Sequence, residues 1–375
     1  MRIAVNVRFL LKDRLEGIGW YTHEVVRRLV ERHPEHEFIF FFDRPYDPAF
    51  VFGSNVTPVV AYPPARHYLL WWWWYEMMLP YLLKKYGADV FFSPDGYCSL
   101  RSKVPTVMVT HDIAHVHYPC QIPAWARHYY HRYVPLYLQR AEQVITVSEF
   151  VKQDITQHYH IPVEKITVAG NGVKTIFQPI TEVQQTTIRA KYSNGKPYFF
   201  YIGAIHPRKN VERLIRAFDL FRSQYPSDMQ LLIGGRLAWQ SDSMKQVWQE
   251  AIYKNDIHGL GYIPEERLPG VLGSALALTY ISLFEGFGVP LLEAMQAEVP
   301  VITSNVSSLP EVAGDAALLV DPTSEAEIAR AMQEIATKPR LREELVEKGS
   351  IQRSKYSWER TADIIWDILS KVNIS

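Results

Sequence analysis

Cysteine is scarce: the chain of 375 residues has two, Cys98 and Cys120. They stand too far apart for a CxxC pair. That leaves no disulfide framework or cysteine metal site to expect, and a reducing cytoplasm is the simplest setting. Net charge is also missing, because 40 Lys and Arg balance 40 Asp and Glu. Proteins that grip nucleic acid by its phosphates carry a basic surplus, so no nucleic-acid partner is expected. No apolar run reaches the roughly 18 residues that a membrane-spanning helix needs. The start, MRIAVNVRFLLKDR, lacks the apolar stretch of a secretory signal and reads as a first strand. No internal repeat with a period of about 20–50 residues is evident. A GxGxxG loop is absent as well.

What is present is apolar material in short, regular runs. Apolar residues make up 47% of the chain, enough for sizeable cores and too much for disorder. At roughly 150 residues per domain the length implies two or three domains. Strands are expected at 3–7, 37–42, 56–61, 88–93, 106–110, 143–147 and 166–169. A second set is expected at 198–202, 230–233, 257–260, 275–281, 299–303 and 317–320. Continuous apolar strands alternating with helical stretches describe parallel sheets in an α/β protein. The stretch after 178, with QPITEVQQTT, has little ordering signal. The domains are therefore placed at 1–178, completed by 357–375, and at 179–356.

The most informative stretch is ISLFEGFGVPLLEAM at 281–295. A buried strand (ALALTYI) leads into a glycine loop, and LLEAMQAE after Pro290 is made of strong helix formers. A helix N-terminus offers unpaired N–H groups and a positive dipole end, which suits phosphate. Gly286 and Gly288 let backbone approach a ligand closely. Glu285 on the loop and Glu293 in the helix can accept hydrogen bonds from sugar hydroxyls on either side of a diphosphate. A plain solvated turn is the ordinary alternative for one such Glu, less so for the whole pattern.

Other strand ends carry related chemistry. Strand 198–202 runs into Gly203 and then Pro207-Arg208-Lys209-Asn210, so two cations lie beside a helix start, where they can neutralise a diphosphate leaving group. Strand 106–110 ends at His111-Asp112, the carboxyl edge where open α/β sheets place ligands. Such a His can equally be a satisfied core side chain. His115 and His117 follow at spacing two, but no further Cys, Asp or Glu in the sequence completes a metal site. The first strand leads through Arg8 to Gly17-Ile18-Gly19 and a helix from Trp20. Residues 68–83, YLLWWWWYEMMLPYLL, set four tryptophans in a row. Two readings stand for them: a membrane or lipid-acceptor contact, or a packed amphipathic helix with an aromatic protein contact. Residues 125–139 (WARHYYHRYVPLYLQ) form an aromatic helix that Pro135 should kink or divide.

Taken in order, GIG, HD, SEF, NGV, PRKN, the Glu285–Glu293 pair and SLPE resemble the retaining GT-B glycosyltransferases of family 4, over nearly the whole chain. The pattern departs in having Ile281 where the family often has Pro. The resemblance implies an α/β GT-B fold: two Rossmann-like domains facing a central cleft, with a C-terminal helix crossing back to the first domain. It implies transfer of a hexose from a nucleotide sugar to a hydroxyl, with anomeric configuration retained. Glu285 would contact the donor sugar, Glu293 the ribose, and Gly286, Phe287, Gly288 and Val289 the diphosphate. Arg208 and Lys209 would carry leaving-group charge, and Gly17, Gly19 and Gly203 would close on the donor. His111 would lie near the transferred sugar. His111, Arg208, Lys209 and Glu285 are thus the catalytic candidates. Arg8, Asp112, Trp71 and Trp74 are those for the acceptor. No cofactor is implied, and no DxD motif is present to hold a metal. The donor is taken as GDP-mannose, with UDP-sugars beside it, and the acceptor as a glycan or lipid-linked molecule in cell-surface polysaccharide assembly. The setting is cytoplasmic, at the inner membrane face if the tryptophans touch lipid. A sugar-nucleotide epimerase, a phosphorolytic enzyme or a non-catalytic scaffold are the rivals.

Overall fold

In a computed structural model the described residues are 1–12, 15–65, 67–236 and 242–372. The chain divides into two compact units, Met1–Asn171 with Ser357–Ser375, and Gly172–Tyr356. The division falls ahead of the expected change at 178. Phe177 is buried, and Lys174 donates to Glu265 at 2.6 Å, so this stretch is tied into the second unit.

All thirteen expected strands form, with ends that differ by one or two residues. The first unit holds β1 (Arg2–Asn6), β2 (Glu37–Phe42), β3 (Val56–Val60), β4 (Val90–Ser93), β5 (Thr106–Thr110), β6 (Gln143–Thr146) and β7 (Ile166–Val168). They make one parallel sheet in the order β3-β2-β1-β4-β5-β6-β7. The second unit holds β8 (Tyr198–Ile202), β9 (Gln230–Gly234), β10 (Ile257–Gly261), β11 (Ala277–Tyr280), β12 (Val301–Ser304) and β13 (Ala317–Val320). Their order is β10-β9-β8-β11-β12-β13, again all parallel. Strand order reverses between β1 and β4 and between β8 and β11. Loops diverge at these switch points, and such crevices are where doubly wound sheets bind ligands. Helices cover the sheets, and so the strands read as unbroken apolar runs rather than alternating ones.

Several local expectations need correction. Gly17 and Gly19 are not in a loop; they lie in the first turn of the helix Gly17–Arg32. A Cβ at Gly19 would meet Phe9 O at 2.8 Å, so the glycine lets the chain after β1 pass close to the helix. Residues read as weakly ordered form the helix Glu182–Ser193. Its start is fixed by a capping box between Thr181 and Gln184, a signal that was present in the sequence. Pro135 does not divide its helix, which runs through from Ala124 to Arg140.

The tryptophan run forms the helix Tyr68–Trp73, a π-helical turn Trp74–Met78 and the helix Leu79–Lys85. Trp74 and Tyr75 are fully buried there. Among the described residues no helix is long and apolar enough to cross a membrane.

The helix Trp358–Lys371 belongs to the first unit. His33 stacks on Trp366 with ring centroids 3.4 Å apart, Arg28 pairs with Glu359, Arg32 pairs with Asp363, and Thr361 bonds Ala169 O.

Candidate functional site

In the second unit the switch point holds a compact charged cluster. Lys209 closes the short turn Pro207–Lys209 after β8, and Glu285 follows β11. Lys209 Nζ donates to Glu285 Oε1 at 2.6 Å and to the Tyr280 hydroxyl at 3.1 Å. Tyr280 itself donates to Glu285 Oε1 at 2.8 Å. Glu285 is 7% exposed. Burial alone would raise its carboxyl; Lys209 and Arg208 outweigh that and hold it below the ordinary carboxylate value. Burial also pushes Tyr280 well up, so its phenol stays a donor. The Arg208 guanidinium lies 5.9 Å from the centre of the Phe284 ring.

Backbone around the cluster is held on several sides. Leu283 N donates to Arg208 O at 2.8 Å, joining the two loops. Asn210, at φ +62°, donates its side-chain amide to Ile281 O and Pro322 O. Glu285 N donates to Ser307 Oγ at 3.1 Å, and Ser308 Oγ donates to the carbonyls of Glu285 and Phe287. The SSLP loop therefore sets the shape of the EGFG loop. Gly288 sits at φ +102° and is the residue before the helix Val289–Gln296; a Cβ there would strike Leu309 at 2.7 Å. Gly203 (φ +151°) is the first residue past β8 and faces Tyr201. Phe287 was a donor-side candidate, but its ring is buried against Tyr356, so only its backbone is left to serve a ligand.

Glu293 lies in the second turn of that helix, with a different electrostatic setting. Burial, then the neighbouring Glu265, push its carboxyl up to about 7, against the opposing pull of Lys174. The two glutamates of the motif are thus in opposite states near neutrality: one firmly ionised, one poised.

In the first unit, the switch point is built around Asp95. Arg8 Nε donates to Asp95 Oδ2 at 2.6 Å, with both side chains almost fully buried. Ser93 Oγ and the Tyr75 hydroxyl also donate to this carboxylate, and Asn6 Nδ2 donates to Tyr75. The guanidinium lies 4.6 Å from the centre of the Tyr97 ring and 5.4 Å from that of Tyr75. His111 docks on the same loop, its Nε2 donating to Pro94 O at 2.7 Å and its ring edge-on to Tyr21. Burial lowers its pKa, so the imidazole is neutral at pH 7 with Nδ1 as its acceptor. Asp112 Oδ1 accepts from Ala114 N and starts a short helix.

The other candidates are placed less like ligand contacts. Trp74 donates Nε1 to Ala61 O and is a core side chain, since its ring has no exposed face. Trp71 donates to Ala65 O and packs among Trp125, Tyr129 and Tyr130. Gly17 has open space where a side chain would go. Tyr280, Asp95 and Tyr75 were not singled out from the sequence, and Asn210 and Ser307 stood in or beside the PRKN and SLPE segments with no role given to them. Of the first three, Asp95 alone had a signal, a Pro-Asp-Gly turn at a strand end.

Comparisons with known proteins agree on one family. The family described as Glycosyl transferases group 1 matches residues 184–352, and Glycosyltransferase Family 4 matches residues 15–176. The O-antigen chain mannosyltransferase B of Escherichia coli is 29% identical over 366 residues, 93% of this chain and 94% of that protein. The O-antigen chain mannosyltransferase RfbU of Salmonella typhimurium is 30% identical over 241 residues, 64% of this chain and 62% of that protein. The crystal structure of HepE from Anabaena in complex with UDP-glucose is similar with a TM-score of 0.78. It has 16% identity, and the match covers 99% of this chain and 100% of that one. That likeness establishes the shared GT-B fold.

The buried Arg8–Asp95 pair gives a stability test. Asp95→Ala leaves a buried cation without its partner and should cost about 3–5 kcal/mol in urea unfolding. Arg8→Met combined with Asp95→Leu removes both charges and should cost clearly less than Asp95→Ala alone.

Proposed function

This chain belongs to glycosyltransferase family 4, the group 1 glycosyl transferases, and from that premise we propose that it moves a mannosyl group from GDP-mannose to a hydroxyl of a growing O-antigen-type glycan, with anomeric configuration retained. The observation that carries this reading is the Lys209–Glu285–Tyr280 cluster beside Arg208 and the Gly288 helix start. The mannosyl assignment draws on the named activity of the two O-antigen relatives.

In this mechanism the bond between the anomeric carbon and the diphosphate oxygen breaks as an acceptor hydroxyl attacks from the same face. The hydroxyl proton leaves with the diphosphate. Arg208 and Lys209 balance the charge that builds on the departing phosphates, and helix amides add hydrogen bonds. Glu285, held anionic and immobile, accepts from sugar hydroxyls and favours positive charge at the reacting carbon. Neutral His111 fixes a sugar hydroxyl through Nδ1 without adding charge. Glu293 accepts from the ribose. None of these roles uses a metal.

The panel that tests the donor is thermal shift with GDP, UDP, ADP and their sugars. One nucleotide series should stabilise the wild type, by about 2.7 kcal/mol at a hundred times its dissociation constant. Arg208→Ala should lose most of that shift. If no nucleotide stabilises the protein, the transferase reading fails, and a shift with uridine nucleotides alone replaces GDP-mannose as the donor. Retention is read from the anomeric coupling of the product by NMR.

Nucleotide binding should also depend on Glu293. Its carboxyl titrates at about 7 in the free protein, and the ionised form accepts from both ribose hydroxyls. Affinity should therefore rise from pH 6 to pH 8, and Glu293→Gln should flatten that profile. An unchanged profile removes Glu293 from the ribose.

The acceptor is proposed to be lipid-linked, presented to an apolar ridge on the first unit. Leu69, Met77 and Tyr81, spaced along the helical run, are exposed, and Lys84 and Lys85 follow. This moves the lipid contact, one of the two readings of the tryptophan run, from the Trp71–Trp74 region to its exposed neighbours. Leu69→Ser, Met77→Ser and Tyr81→Ser together should abolish flotation with anionic vesicles; unchanged flotation would defeat the assignment.

A further inference from the structure

The first unit brings together three metal-ligating side chains that the glycosyl transfer does not use. His117 ends the short helix Ala114–His117 after β5. Asp154 and His158 lie four residues apart on the helix Glu149–Tyr159, hence on one face of it. That helix starts at Ser148, whose Oγ accepts from Val151 N. His117 Nε2 lies 2.9 Å from both Asp154 oxygens, and His158 Nδ1 lies 3.1 Å from Oδ1. The two imidazoles are edge to face with centroids 4.9 Å apart. One ligand atom from each residue falls within 4.8 Å of the others.

We propose that His117, Asp154 and His158 form a binding site for a divalent transition-metal ion, with zinc as the best match. Zinc bonds of about 2.0–2.2 Å to imidazole nitrogen and carboxylate oxygen place tetrahedral ligand atoms roughly 3.3–3.6 Å apart. The observed spacings bracket that value, so the ion fits with small side-chain rotations. It would take the place of the imidazole protons now shared with Asp154, and each ring would then carry its proton on its other nitrogen.

Two nitrogens and one carboxylate oxygen suit zinc and its neighbours; calcium and magnesium prefer all-oxygen sets. The fourth position would be filled by water, because His117 and His158 both reach solvent.

A second observation points the same way. The Asp154 carboxylate is 6% exposed, yet neither Lys nor Arg pairs with it among the described residues. Its partners are the two histidines. Buried carboxylates are normally matched by a full positive charge or by a metal. An ion here supplies that charge.

The site also has a place in the fold. It ties the segment 111–117, which begins with His111 and Asp112, to the helix Glu149–Tyr159. A neighbouring contact, His115 Nε2 to the Tyr159 hydroxyl at 2.9 Å, joins the same two elements. Histidines 117 and 158 are therefore positioning residues for this segment, apart from the transfer step.

The experiment uses tag-free full-length protein, stripped with chelator and then titrated with Zn²⁺ and, separately, Co²⁺. One zinc per chain is expected by calorimetry, and cobalt should give the visible bands of a four-coordinate nitrogen–oxygen site. Zinc at a hundred times its dissociation constant should raise the melting temperature of the stripped protein by about 5–10 °C. His158→Gln and His117→Gln each keep a side-chain amide that can still donate to Asp154, and each stripped variant is titrated beside the stripped wild type. Each should weaken zinc binding by at least about tenfold and abolish the cobalt bands. The site is overturned if the wild type takes up no zinc, or if both variants bind it as the wild type does.

Discussion

A buried carboxylate is expensive unless a cation is held against it, and the second unit is arranged to meet that cost at Glu285. Lys209 and Tyr280 converge on one oxygen of it. The loops that carry them are fixed in turn by Asn210, Ser307 and Ser308. Without such restraint a lysine would swing to solvent, and the carboxylate would take up a proton. Holding charge in a low-dielectric position, with the reorganisation completed during folding, is what lets a site act on charge that develops in a substrate.

The first unit solves the same problem with different residues. At its switch point Arg8 replaces lysine, Asp95 replaces glutamate, and Tyr75 supplies the phenol. Both arrangements follow from topology: adjacent parallel strands whose connections leave in opposite directions open a crevice lined by loop ends. A polar group placed there is shielded from water on the sheet side and must find its partner on the neighbouring loop. The two pairs differ in accessibility. Arg8 is sealed under Phe9, Tyr75 and Tyr97, whereas Lys209 and Arg208 stay partly open. The first pair is suited to holding loops in register and the second to meeting a ligand.

The strands were legible because helices cover both faces of each sheet, which forces continuous apolar runs. The Glu285 loop was legible because its residues are local, with strand, glycines and helix start in fifteen consecutive positions. What escaped was non-local. Asp95 meets Arg8 across 87 positions, Lys209 meets Glu285 across 76, and Asp154 meets His117 across 37. No period or spacing reports such partners. Hence His117 seemed to lack a third ligand, and Tyr280 read as one more apolar strand residue. Trp74 failed for another reason. A run of tryptophans looks like surface for something to bind, but the π-helical turn rotates this one into the core beside Tyr75.

The last helix has a consequence for how the molecule is made. Trp358–Lys371 packs on Gly17–Arg32, so the earliest helix waits for the latest one. The second unit is one unbroken stretch, Gly172–Tyr356, inserted within the first. During synthesis it can complete its own sheet as soon as its final residues leave the ribosome. The first unit meanwhile carries an open helix flank at Tyr21, Arg28 and Arg32, with His33 beyond it, whose cover, Trp358, Glu359, Asp363 and Trp366, has not yet been translated. The half that emerges first is therefore the half that finishes last, and it is the one more exposed to chaperones and to aggregation on the way.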